Sequence, residues 1–437
     1  MNGLFLNQVS TKAKSIAMNT VLLGCIGLGS AQVSASSELE SVALGINPSL
    51  STYSSKNYSQ VNEEYYFDGN TEKLIQRTEK AINWYKEIVN NGGFTPVHFD
   101  DLLELGSTSS DVNLLARRLY QERDLINNVC SHSICTFDEV IEQGVKQFQR
   151  RHGLKVDGRV GKRTLAKLNI PAKQKLAKLK LNFYRITNFA GSSDEQYVYV
   201  NIPEYRLRYV NTGEIKLTNN VIVGRPSWKT PEFSDEIEKF VVNPEWRIPI
   251  SIATKEIAPK VAKDPQYLAK NNIEIRRNSY FDTVKVNPNN IDWDAVKPYQ
   301  FDHFLVKNAG KKNPLGQVKY LFPNAEAIYV HDTPGKHRFS QNRRALSHGC
   351  IRIEKPFSLA RAIIKDRGNT EILKQVDIAR NNDITKTFHL DEPLPIHLVY
   401  WTAWVEEGMQ VNFRDDIYKY DKNLQLKDND RAVIAAL

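Results

Sequence analysis

The strongest constraint on the fold of this 437-residue chain is a change in hydrophobic periodicity near Gln196. Upstream of that point, apolar residues recur every three to four positions, which is the spacing of amphipathic helices. Downstream, successive side chains alternate with a period of two, and Asn211-Thr212-Gly213 separates two such runs as a hairpin turn would. The sequence therefore predicts an α+β multidomain protein, with helices first and a mainly β domain second.

Length and composition limit the class of protein. A chain of 437 residues is too long for one compact core and is typical of two or three domains. Hydrophobic residues make up 41% and charged residues 25%, which excludes a wholly disordered chain and a polytopic membrane protein. The formal net charge of +9 describes a mildly basic protein.

Four helical segments are predicted before the change in period. The first ends at Gly92-Gly93, the third ends at Gly153, and Pro171 precedes a Lys-rich helical connector that runs to about Tyr184. The four segments are Thr71–Asn91, Asp111–Asn128, Phe137–His152 and Thr164–Leu168.

Short strands are predicted after the change, together with one insertion. The region of about 251–321 is polar and irregular and contains five prolines, but Tyr267, Trp293 and Phe301 give it side chains to bury. We therefore expect an inserted lid there, whose aromatics serve as core more than as a ligand platform. The strand candidates are Tyr205–Val210, Leu217–Val223, Phe240–Val242, Ala327–His331, Ile396–Trp404 and Val411–Phe413.

Residues 1–35 have the pattern of a secretory signal peptide. Lys12 and Lys14 precede an apolar run from about Ile16 to Leu28, and small residues follow up to Ala35. Two alternatives stay open: an uncleaved amino-terminal anchor, and lipidation at Cys25, which ends a lipobox-like Leu-Leu-Gly-Cys. The Ser-, Asn- and Gly-rich residues 36–60 predict a flexible leader.

Export changes the interpretation of the cysteines. In an oxidising compartment, Cys130 and Cys135 can close a small disulfide loop. A zinc site that adds His132 is the weaker alternative, because no second ligand pair of suitable spacing follows. Cys350 is left as a lone thiol, so it is a candidate for chemical use.

The densest group of reactive side chains surrounds this cysteine. His331-Asp332-Thr333-Pro334 is followed by Ser347-His348-Gly349-Cys350-Ile351-Arg352. A thiol attacks carbonyls as the thiolate, and an imidazole can accept its proton near neutral pH. Gly349 permits a tight turn whose amides could form an oxyanion hole, and Arg352 offers a charge for a substrate carboxylate.

Competing interpretations of these motifs are weaker. A buried, inert cysteine leaves the clustered histidines unexplained, and Ser-His-Gly-Cys has no recognised metal-site spacing that would support zinc bound by His331, His348 and Cys350. The basic runs KQKLAKLK and RVGKR are typical of solvated helix faces, so no nucleic-acid partner is predicted. We predict neither a metal nor an organic cofactor.

The reactive segment resembles the signature of YkuD-type L,D-transpeptidases, in which a first His is followed by Ser/Thr-His-Gly-Cys. Fifteen residues, Asp332 to Leu346, separate His331 from Ser347. The resemblance covers most of residues 195–425 and extends to the large YcbB-like subgroup. Matching segments include Val223-Gly224-Arg225-Pro226, Asn243-Pro244-Glu245-Trp246, Phe322-Pro323-Asn324 and Arg352-Ile353-Glu354-Lys355-Pro356.

This resemblance implies a role for each residue of the motif. Spacing alone does not choose between the two histidines as base, and the orientation of an imidazole by Asp332 is a further expectation. The implied roles are Cys350 as nucleophile, His331 as general base, His348, Gly349 and Tyr329 as the oxyanion pocket, and Arg352 and Ser347 as substrate contacts.

A second resemblance lies upstream. Residues 111–168 resemble a three-helix peptidoglycan-binding module, through FQ-x-x-HGL at Phe148–Leu154 and DG-x-VG-x-x-T at Asp157–Thr164. Its binding function is implied by the resemblance alone. The expected domains are helical scaffold at 61–105, module at 106–169, connector at 170–190, catalytic domain at 195–425 and tail at 426–437.

Together the two resemblances imply a periplasmic enzyme that acts on peptidoglycan stem peptides and glycan. It would form direct diaminopimelate–diaminopimelate cross-links through a cysteine acyl-enzyme with release of terminal D-Ala, and carbapenems would acylate Cys350. An L,D-carboxypeptidase or a wall-protein-attaching enzyme using the same site is the alternative, and a non-catalytic wall-binding scaffold is an alternative of another class. Other cell-wall synthesis proteins are candidate partners, and inner-membrane anchoring through the amino terminus stays open.

Overall fold

The computed structural model describes residues 69–423, with gaps at 131–132, 190 and 192–193. The predicted signal peptide, the leader and the tail at 426–437 lie outside these residues, as does His132 of the alternative zinc site. Within the described part of the chain, no helix is both long and apolar enough to cross a membrane.

Two long helices form a scaffold against the catalytic domain. Helix α1 (Thr71–Asn90) begins at Asn70, whose side chain accepts a hydrogen bond from the Lys73 amide at 2.9 Å. Its apolar face packs on helix α5 (Ala172–Thr187) and on the carboxy-terminal strands β15 (Ala403–Val405) and β16 (Val411–Phe413). The scaffold is therefore built from segments far apart in sequence.

The three-helix module lies between these scaffold helices in the chain. It buries a core of its own in which Leu115, Val145 and Phe148 have no exposed surface. A two-stranded ribbon closes beside the helices, where Thr108 and Ser109 pair with Thr136 and Cys135. Its elements are β1 (Thr108–Ser109), α2 (Ser110–Gln121), β2 (Cys135–Thr136), α3 (Glu139–Arg151) and α4 (Lys162–Leu168).

Helix α2 ends seven residues before the predicted boundary at Asn128. The chain leaves the helix at Glu122, and Arg123 adopts a left-handed conformation with φ of 61°. This turn directs the Glu122 and Asp124 carboxylates inward, where Arg151 donates to them at 2.6 and 2.5 Å. The early end of the helix therefore creates the acidic half of a buried ion cluster.

That ion cluster, which we call the junction cluster, connects the module to both neighbouring parts. Lys175 of α5 donates to Glu122, and Arg151 donates to the Val411 carbonyl of β16 at 3.2 Å. Burial alone would raise the pKa of Glu122, but Arg118, Lys175 and Arg151 together hold that pKa well below its ordinary value. Glu122 is therefore ionised and is satisfied by three cations.

A nine-stranded sheet forms the mainly β domain. Its hydrogen-bonded order is β12-β5-β13-β11-β10-β6-β14-β3-β4, and β4 also pairs with β5, so the order closes on itself. The predicted succession of helices and then a mainly β domain is confirmed. The strands are β3 (Gln196–Asn201), β4 (Arg206–Asn211), β5 (Glu214–Gly224), β6 (Phe233–Val242), β10 (Val318–Leu321), β11 (Val330–His331), β12 (Ala345–Ser347), β13 (Ile351–Ile353) and β14 (Lys386–Val399).

Both faces of β3 are buried, which explains its run of apolar and aromatic residues. Val198 and Val200 join the main core of the sheet, while Tyr197 and Tyr199 pack beneath the scaffold helices. Two further helices, α9 (Pro356–Asp366) and α10 (Thr370–Asn381), pack on the main core through residues such as Ile363 and Val376.

The inserted lid has a small sheet and a core of its own. Strands β7 (Trp246–Arg247), β9 (Phe304–Lys307) and β8 (Ile273–Arg276) pair in that order. The predicted lid range of about 251–321 extends too far, because β10 belongs to the main sheet, where it pairs with β6 and β11. The lid helices are α6 (Ile250–Ile252), a π-helical turn (Ala253–Ile257), α7 (Ala258–Lys263) and α8 (Tyr267–Lys270).

The junction cluster generates a stability prediction. Glu122→Gln leaves three buried cations without their shared carboxylate, so the free energy of unfolding at pH 7 should fall by about 3–5 kcal/mol. Because the folded-state pKa of Glu122 is low, its contribution is present at neutral pH and is lost as the pH falls through that pKa. Urea unfolding at pH 7 measures the change.

The matched control is Glu142→Gln in the same module. Glu142 forms a partly exposed i,i+4 pair with Lys146 at 2.9 Å, which contributes about 0–1 kcal/mol. Equal losses in the two variants would contradict the importance of the junction cluster.

Candidate active site

A row of three side chains crosses adjacent strands of the main sheet. Lys319 of β10 lies opposite His331 of β11, and His331 lies opposite Arg352 of β13. Directly opposed residues project from the same face of a sheet, so the imidazole lies between two cationic side chains. Register alone thus brings together residues that are separated in sequence.

The nucleophile candidate lies beside this row. The parallel pairing of β11 with β13 sets Val330 opposite Ile351, and the Ile351 amide donates to the Tyr329 carbonyl at 3.0 Å. Extending the register by one residue places Cys350 next to Tyr329. Cys350 and His331 then project from the same face as diagonal neighbours. Cys350 is half-buried, and its thiol contacts the Ala327 carbonyl at 3.9 Å.

The hydrogen bonding of His331 determines which ring nitrogen can act as a base. Its Nδ1 lies 2.5 Å from the backbone oxygen of Asp332, and a carbonyl oxygen can only accept. Nδ1 therefore carries the proton, and Nε2 has a free lone pair. Asp332 orients the imidazole as expected, but through its backbone and not through its carboxylate.

The Asp332 carboxylate is used elsewhere. One oxygen accepts from Lys336 Nζ at 2.5 Å, and the other accepts from the Gln317 amide at 2.8 Å. A Cβ at Gly316 would lie 2.3 Å from this carboxylate, and Gly316 has φ of +59°. The carboxylate thus fastens the loop after His331 to the loop before β10.

His331 is neutral across the physiological range. Burial lowers its pKa most, and the adjacent Arg352 and Lys319 lower it further, to about 3. A cationic imidazole is thus unavailable to pair with the thiolate in the resting site. Charge stabilisation of the thiolate must come from other side chains.

Burial raises the pKa of the Cys350 thiol, and its neighbours oppose that rise. Hydrogen bonds from Tyr329 and the positive charges of Lys319 and Arg352 lower the thiol pKa. Burial also raises the pKa of Tyr329, whose hydroxyl hydrogen-bonds with Cys350 and Trp246. Tyr329 thus connects the nucleophile to the first strand of the lid.

Lys319 is a site residue that sequence analysis did not identify. Its ammonium lies 4.8 Å from the centre of the Tyr329 ring, and burial and Arg247 lower its pKa to about 8. The sequence analysis placed Lys319 in the inserted lid and therefore did not consider it as an active-site residue. A lysine three residues before Phe322-Pro323-Asn324, in a run of strand character, is the only signal the sequence offers.

The Ser-His-Gly-Cys turn is held by its own serine. The Ser347 hydroxyl donates to the Cys350 carbonyl at 2.6 Å and accepts from the Gly349 amide at 3.1 Å. Ser347 is 1% exposed, so its burial does not support the expected contact with substrate. Its geometry is that of a positioning residue, and it occupies the Gly349 amide that was expected to line the oxyanion pocket.

Gly349 is required by the shape of the turn. Its φ of +113° is a conformation that side chains rarely adopt, and a Cβ would lie 3.1 Å from the Ile328 side chain. Thr230 further fixes the turn by donating to the Gly349 carbonyl at 2.6 Å.

His348 faces the lid. Its Nε2 lies 2.9 Å from Arg225 Nη2 and 3.1 Å from Glu256 Oε1 in the π-helical turn, and its ring stacks edge-on with Trp228. Burial and Arg225 lower its pKa, against the effect of Glu256. Among the described residues, no group of three or more His, Cys, Asp or Glu side chains is arranged to hold a metal ion.

Arg352 keeps its charge available. It is partly exposed, and its buried Nε has no hydrogen-bond partner in the described part of the chain. Burial and the nearby Arg338 lower its pKa. This arrangement suits a bound carboxylate, which would relieve the repulsion between the two guanidinium groups.

The remaining predicted site residues lie in the module. Cys130 and Cys135 are joined by a disulfide whose Cα atoms are 5.8 Å apart. The bond anchors the loop after α2 to β2, at a distance in sequence from the catalytic sheet.

The charge of Lys319 should be measurable in the reactivity of Cys350. Below about pH 8 the ammonium favours the thiolate, so Lys319→Met should raise the thiol pKa by about one unit and slow alkylation by iodoacetamide at pH 7 about tenfold. As the pH rises above about 8, Lys319 loses its proton and the two rates should converge. Mass spectrometry of the Cys350 peptide measures the rate.

Lys365→Met on the exposed side of α9 is the matched control and should react like the unaltered protein. If Lys319→Met were alkylated at the unaltered rate at pH 7, Lys319 would have no role in stabilising the thiolate.

Comparison with known proteins identifies two domains. Residues 195–372 match the family model described as the YkuD L,D-transpeptidase catalytic domain. Residues 109–168 match the model described as "Putative peptidoglycan binding domain". The part of the sheet beyond residue 372, including β14, completes the closed order of strands.

One curated protein and several solved structures are similar to the chain. A Haemophilus influenzae protein named "Putative L,D-transpeptidase" is 37% identical over 234 residues, or 53% of this chain and 46% of that protein, so the match spans about half the length of that relative. An L,D-transpeptidase from Mycobacterium smegmatis is 14% identical, with 47% of this chain and 58% of that chain covered and a TM-score of 0.23. An L,D-transpeptidase in complex with imipenem has 14% identity, coverage of 47% and 59%, and a TM-score of 0.22.

Proposed function

We propose that this chain is a peptidoglycan L,D-transpeptidase that uses Cys350. Its residues 195–372 match the model of the YkuD L,D-transpeptidase catalytic domain, and its residues 109–168 match that of a peptidoglycan-binding domain. One observation carries the proposal. A free thiol and a neutral imidazole with an unprotonated Nε2 project from the same face of adjacent strands. This is the arrangement that nucleophilic acyl transfer requires.

The first half-reaction forms an acyl-enzyme. His331 Nε2 takes the thiol proton as the Cys350 sulfur bonds to the carbonyl carbon before the terminal D-Ala of a tetrapeptide stem. The carbon–nitrogen bond to D-Ala then breaks, and the imidazolium returns the proton to the leaving amine. The product is a thioester on Cys350 and free D-Ala.

The charges around the thiol support this step. His331 is neutral before the attack because its pKa is about 3. Lys319 and Arg352 therefore stabilise the thiolate in place of a cationic histidine. Protonation of His331 during attack is costly, so the imidazolium is a strong acid that readily protonates the departing amine. A carboxylate of the stem fits the partly exposed Arg352.

The second half-reaction transfers the acyl group to an amine. A diaminopimelate side-chain amine of a second stem loses a proton to His331 and attacks the thioester carbonyl. The carbon–sulfur bond breaks, and a direct diaminopimelate–diaminopimelate cross-link results. Trp246 and Glu256 connect the lid to Tyr329 and His348, so lid closure would limit water access to the thioester.

A hydrolytic enzyme is the second candidate. With water in place of the amine, the same acyl-enzyme yields a tripeptide stem, and attachment of a wall protein would use that protein's amine. The buried surroundings of Cys350 and the lid favour transfer over hydrolysis. A non-catalytic scaffold would not require the opposed Lys319, His331 and Arg352.

The cellular setting follows from the same proposal. We place the protein in the periplasm, exported by its first 35 residues or held at the inner membrane by them, with peptidoglycan stems and glycan as its substrate and other wall-synthesis proteins as partners. No cofactor enters the proposed steps. Carbapenems are proposed to acylate Cys350, as the resemblance of residues 195–425 to L,D-transpeptidases implies.

The reaction can be tested on purified tetrapeptide muropeptides. The mature protein should produce dimers that have lost one D-Ala, and Cys350→Ala should produce none, because without the sulfur no thioester forms. Mass spectrometry of the products distinguishes the candidates. Tripeptide monomers alone would replace transpeptidation by the carboxypeptidase activity, and meropenem that adds no mass at Cys350 would exclude a competent nucleophile.

The two histidines should differ in effect. His331→Ala removes the free Nε2 next to the thiol and should slow meropenem acylation of Cys350 by about 10²–10⁴-fold, the usual range for a general base. His348→Ala removes a contact with Arg225 and Glu256 and should slow it by about tenfold or less. Stopped-flow acylation rates measure both, and the reverse order would assign the base to His348.

A further inference from the structure

A polar cleft separates the module from the catalytic sheet. Its volume is about 700 Å³, and its walls come from α3 and the loop after it, from β5 and the segments around β12 and β13, and from the β15–β16 hairpin. We call it the junction cleft. Cys350, His331 and His348 do not line it, so it is distinct from the site described above.

Six side-chain amides contribute to the polar lining of the junction cleft. Each amide offers donors and an acceptor together, which is what adjacent hydroxyl and acetamido groups of a sugar require. Asn219 is 2% exposed, and its Oδ1 has no hydrogen-bond partner among the described residues, although its Nδ2 donates to Ser358 at 3.0 Å. The amides are Gln147, Asn219, Asn220, Asn342, Gln410 and Asn412.

The basic side chains of the cleft repel one another. Burial and the nearby Arg206 lower the pKa of Arg344 to about 10. The acceptors of the Arg344 guanidinium are all neutral, namely three backbone carbonyls and the Asn220 side chain at 3.0–3.2 Å. A bound anion would therefore relieve repulsion that the protein's own hydrogen bonds leave in place.

Three acidic side chains face six basic ones in the cleft, so the acidic side chains do not balance this charge. Glu354 accepts a hydrogen bond from the Asn220 side chain at 2.8 Å. Glu204 is engaged by Arg208 in two hydrogen bonds of 2.6 and 2.7 Å. Burial and the neighbouring Glu204 raise the pKa of Glu406 to about 7, so that carboxyl is only partly ionised at neutral pH. The cleft is therefore suited to a hydroxyl-rich ligand that carries carboxylates.

The cleft is preformed because its two walls are tied together. Arg414 donates to the Arg151 carbonyl at 2.8 Å, and Arg151 donates to the Val411 carbonyl at 3.2 Å. Gly153 permits the close approach, since a Cβ there would lie 2.8 Å from the Arg414 side chain. A ligand would find both walls already in place.

Strand β13 connects the cleft to the nucleophile. Glu354 lines the cleft and lies four residues beyond Cys350, a path of about 13 Å at the rise of a β-strand. An extended tetrapeptide spans about the same length. A stem peptide attached to a sugar in the cleft is thus long enough to reach the thiol.

We propose that the junction cleft binds a glycan chain of peptidoglycan, recognising its amino sugars through the amides and the lactyl carboxylates of its stem-free muramic acid residues through the arginines. The stem carried by a neighbouring muramic acid residue of that chain then extends along β13 to Cys350. The glycan site stands on the cleft itself, whereas the delivery of the stem rests on the proposed transpeptidase function. The module and the catalytic domain would in this way share one ligand.

The test uses mature full-length protein carrying Cys350→Ala, so that nothing is turned over. Arg150→Glu and Lys355→Glu are combined, because these exposed side chains lie on opposite walls of the cleft. Arg163→Glu with Lys365→Glu is the matched control, with the same charge changes on exposed residues outside the cleft. The ligands for calorimetric titration are stem-free glycan chains with free lactyl carboxylates, and free tetrapeptide.

The cleft variant should bind stem-free glycan at least tenfold more weakly than the control, and the affinity of the unaltered cleft should fall with added salt. Equal affinity in both double variants would overturn the proposal, and so would a cleft effect seen with free tetrapeptide alone. A second measurement uses the cleft variant, Arg150→Glu with Lys355→Glu, in protein that keeps Cys350. Its rate of acylation by meropenem should be unchanged. If cross-linking activity were never found but glycan binding still depended on the cleft, only the proposed function would fail.

Discussion

The active site depends on the parallel pairing of β11 with β13 inside a sheet that is otherwise largely antiparallel. This pairing places His331 opposite Arg352 and brings Cys350 beside Tyr329, although nearly twenty residues separate the two strands in sequence. A slip of one residue would turn either the imidazole or the thiol to the other face. The register is fixed by the Ile351 amide bonded to the Tyr329 carbonyl and by the Asp332 carboxylate, which ties the next loop to the start of β10. The register of the sheet therefore determines whether the thiol and the imidazole lie on the same face.

A second constraint is electrostatic. Buried cations are compensated by a carboxylate in the junction cluster and are left uncompensated around His331. In the junction cluster, three cations surround the ionised Glu122, so the buried charges are satisfied and hold module and scaffold together. Around His331, burial keeps the imidazole neutral first of all, and Arg352 and Lys319 add to its effect. No carboxylate among the described residues lies between these two cations, so both are free to act on the thiol. The first arrangement stabilises the fold. The second leaves charge uncompensated until an anionic substrate or a thiolate is present, which is typical of functional sites.

The sequence predicted the parts of this structure that local patterns determine. Helix α1 ends at Asn90, one residue from its predicted end, because Gly92 and Gly93 both adopt positive φ values. The sequence did not predict the features that only long-range pairing determines. Lys319 was assigned to the lid because it lies near the end of the polar, irregular region of about 251–321. The pairing of β10 with β6 and β11 places it in the main sheet. The predicted helix α2 is too long because apolar residues continue at helical spacing past Glu122. In the structure the helix ends at this residue, and Glu122 pairs with the buried Arg151. Helices α9 and α10 were not predicted, although both have an apolar face.

The contacts of His348 explain why the second histidine of the motif need not be the base. A single Nε2 cannot at once accept from Arg225 and donate to Glu256. With its pKa lowered by burial and by Arg225, the imidazole is neutral at pH 7 and accepts from the guanidinium, so the Glu256 contact holds the lid only weakly. In the proposed reaction, a lid held weakly at this point opens for a bulky stem peptide, while Trp246 keeps its other end against Tyr329. The proposal thus places His348 at the entrance of the site and assigns the proton from Cys350 to His331, which is fixed by the Asp332 backbone.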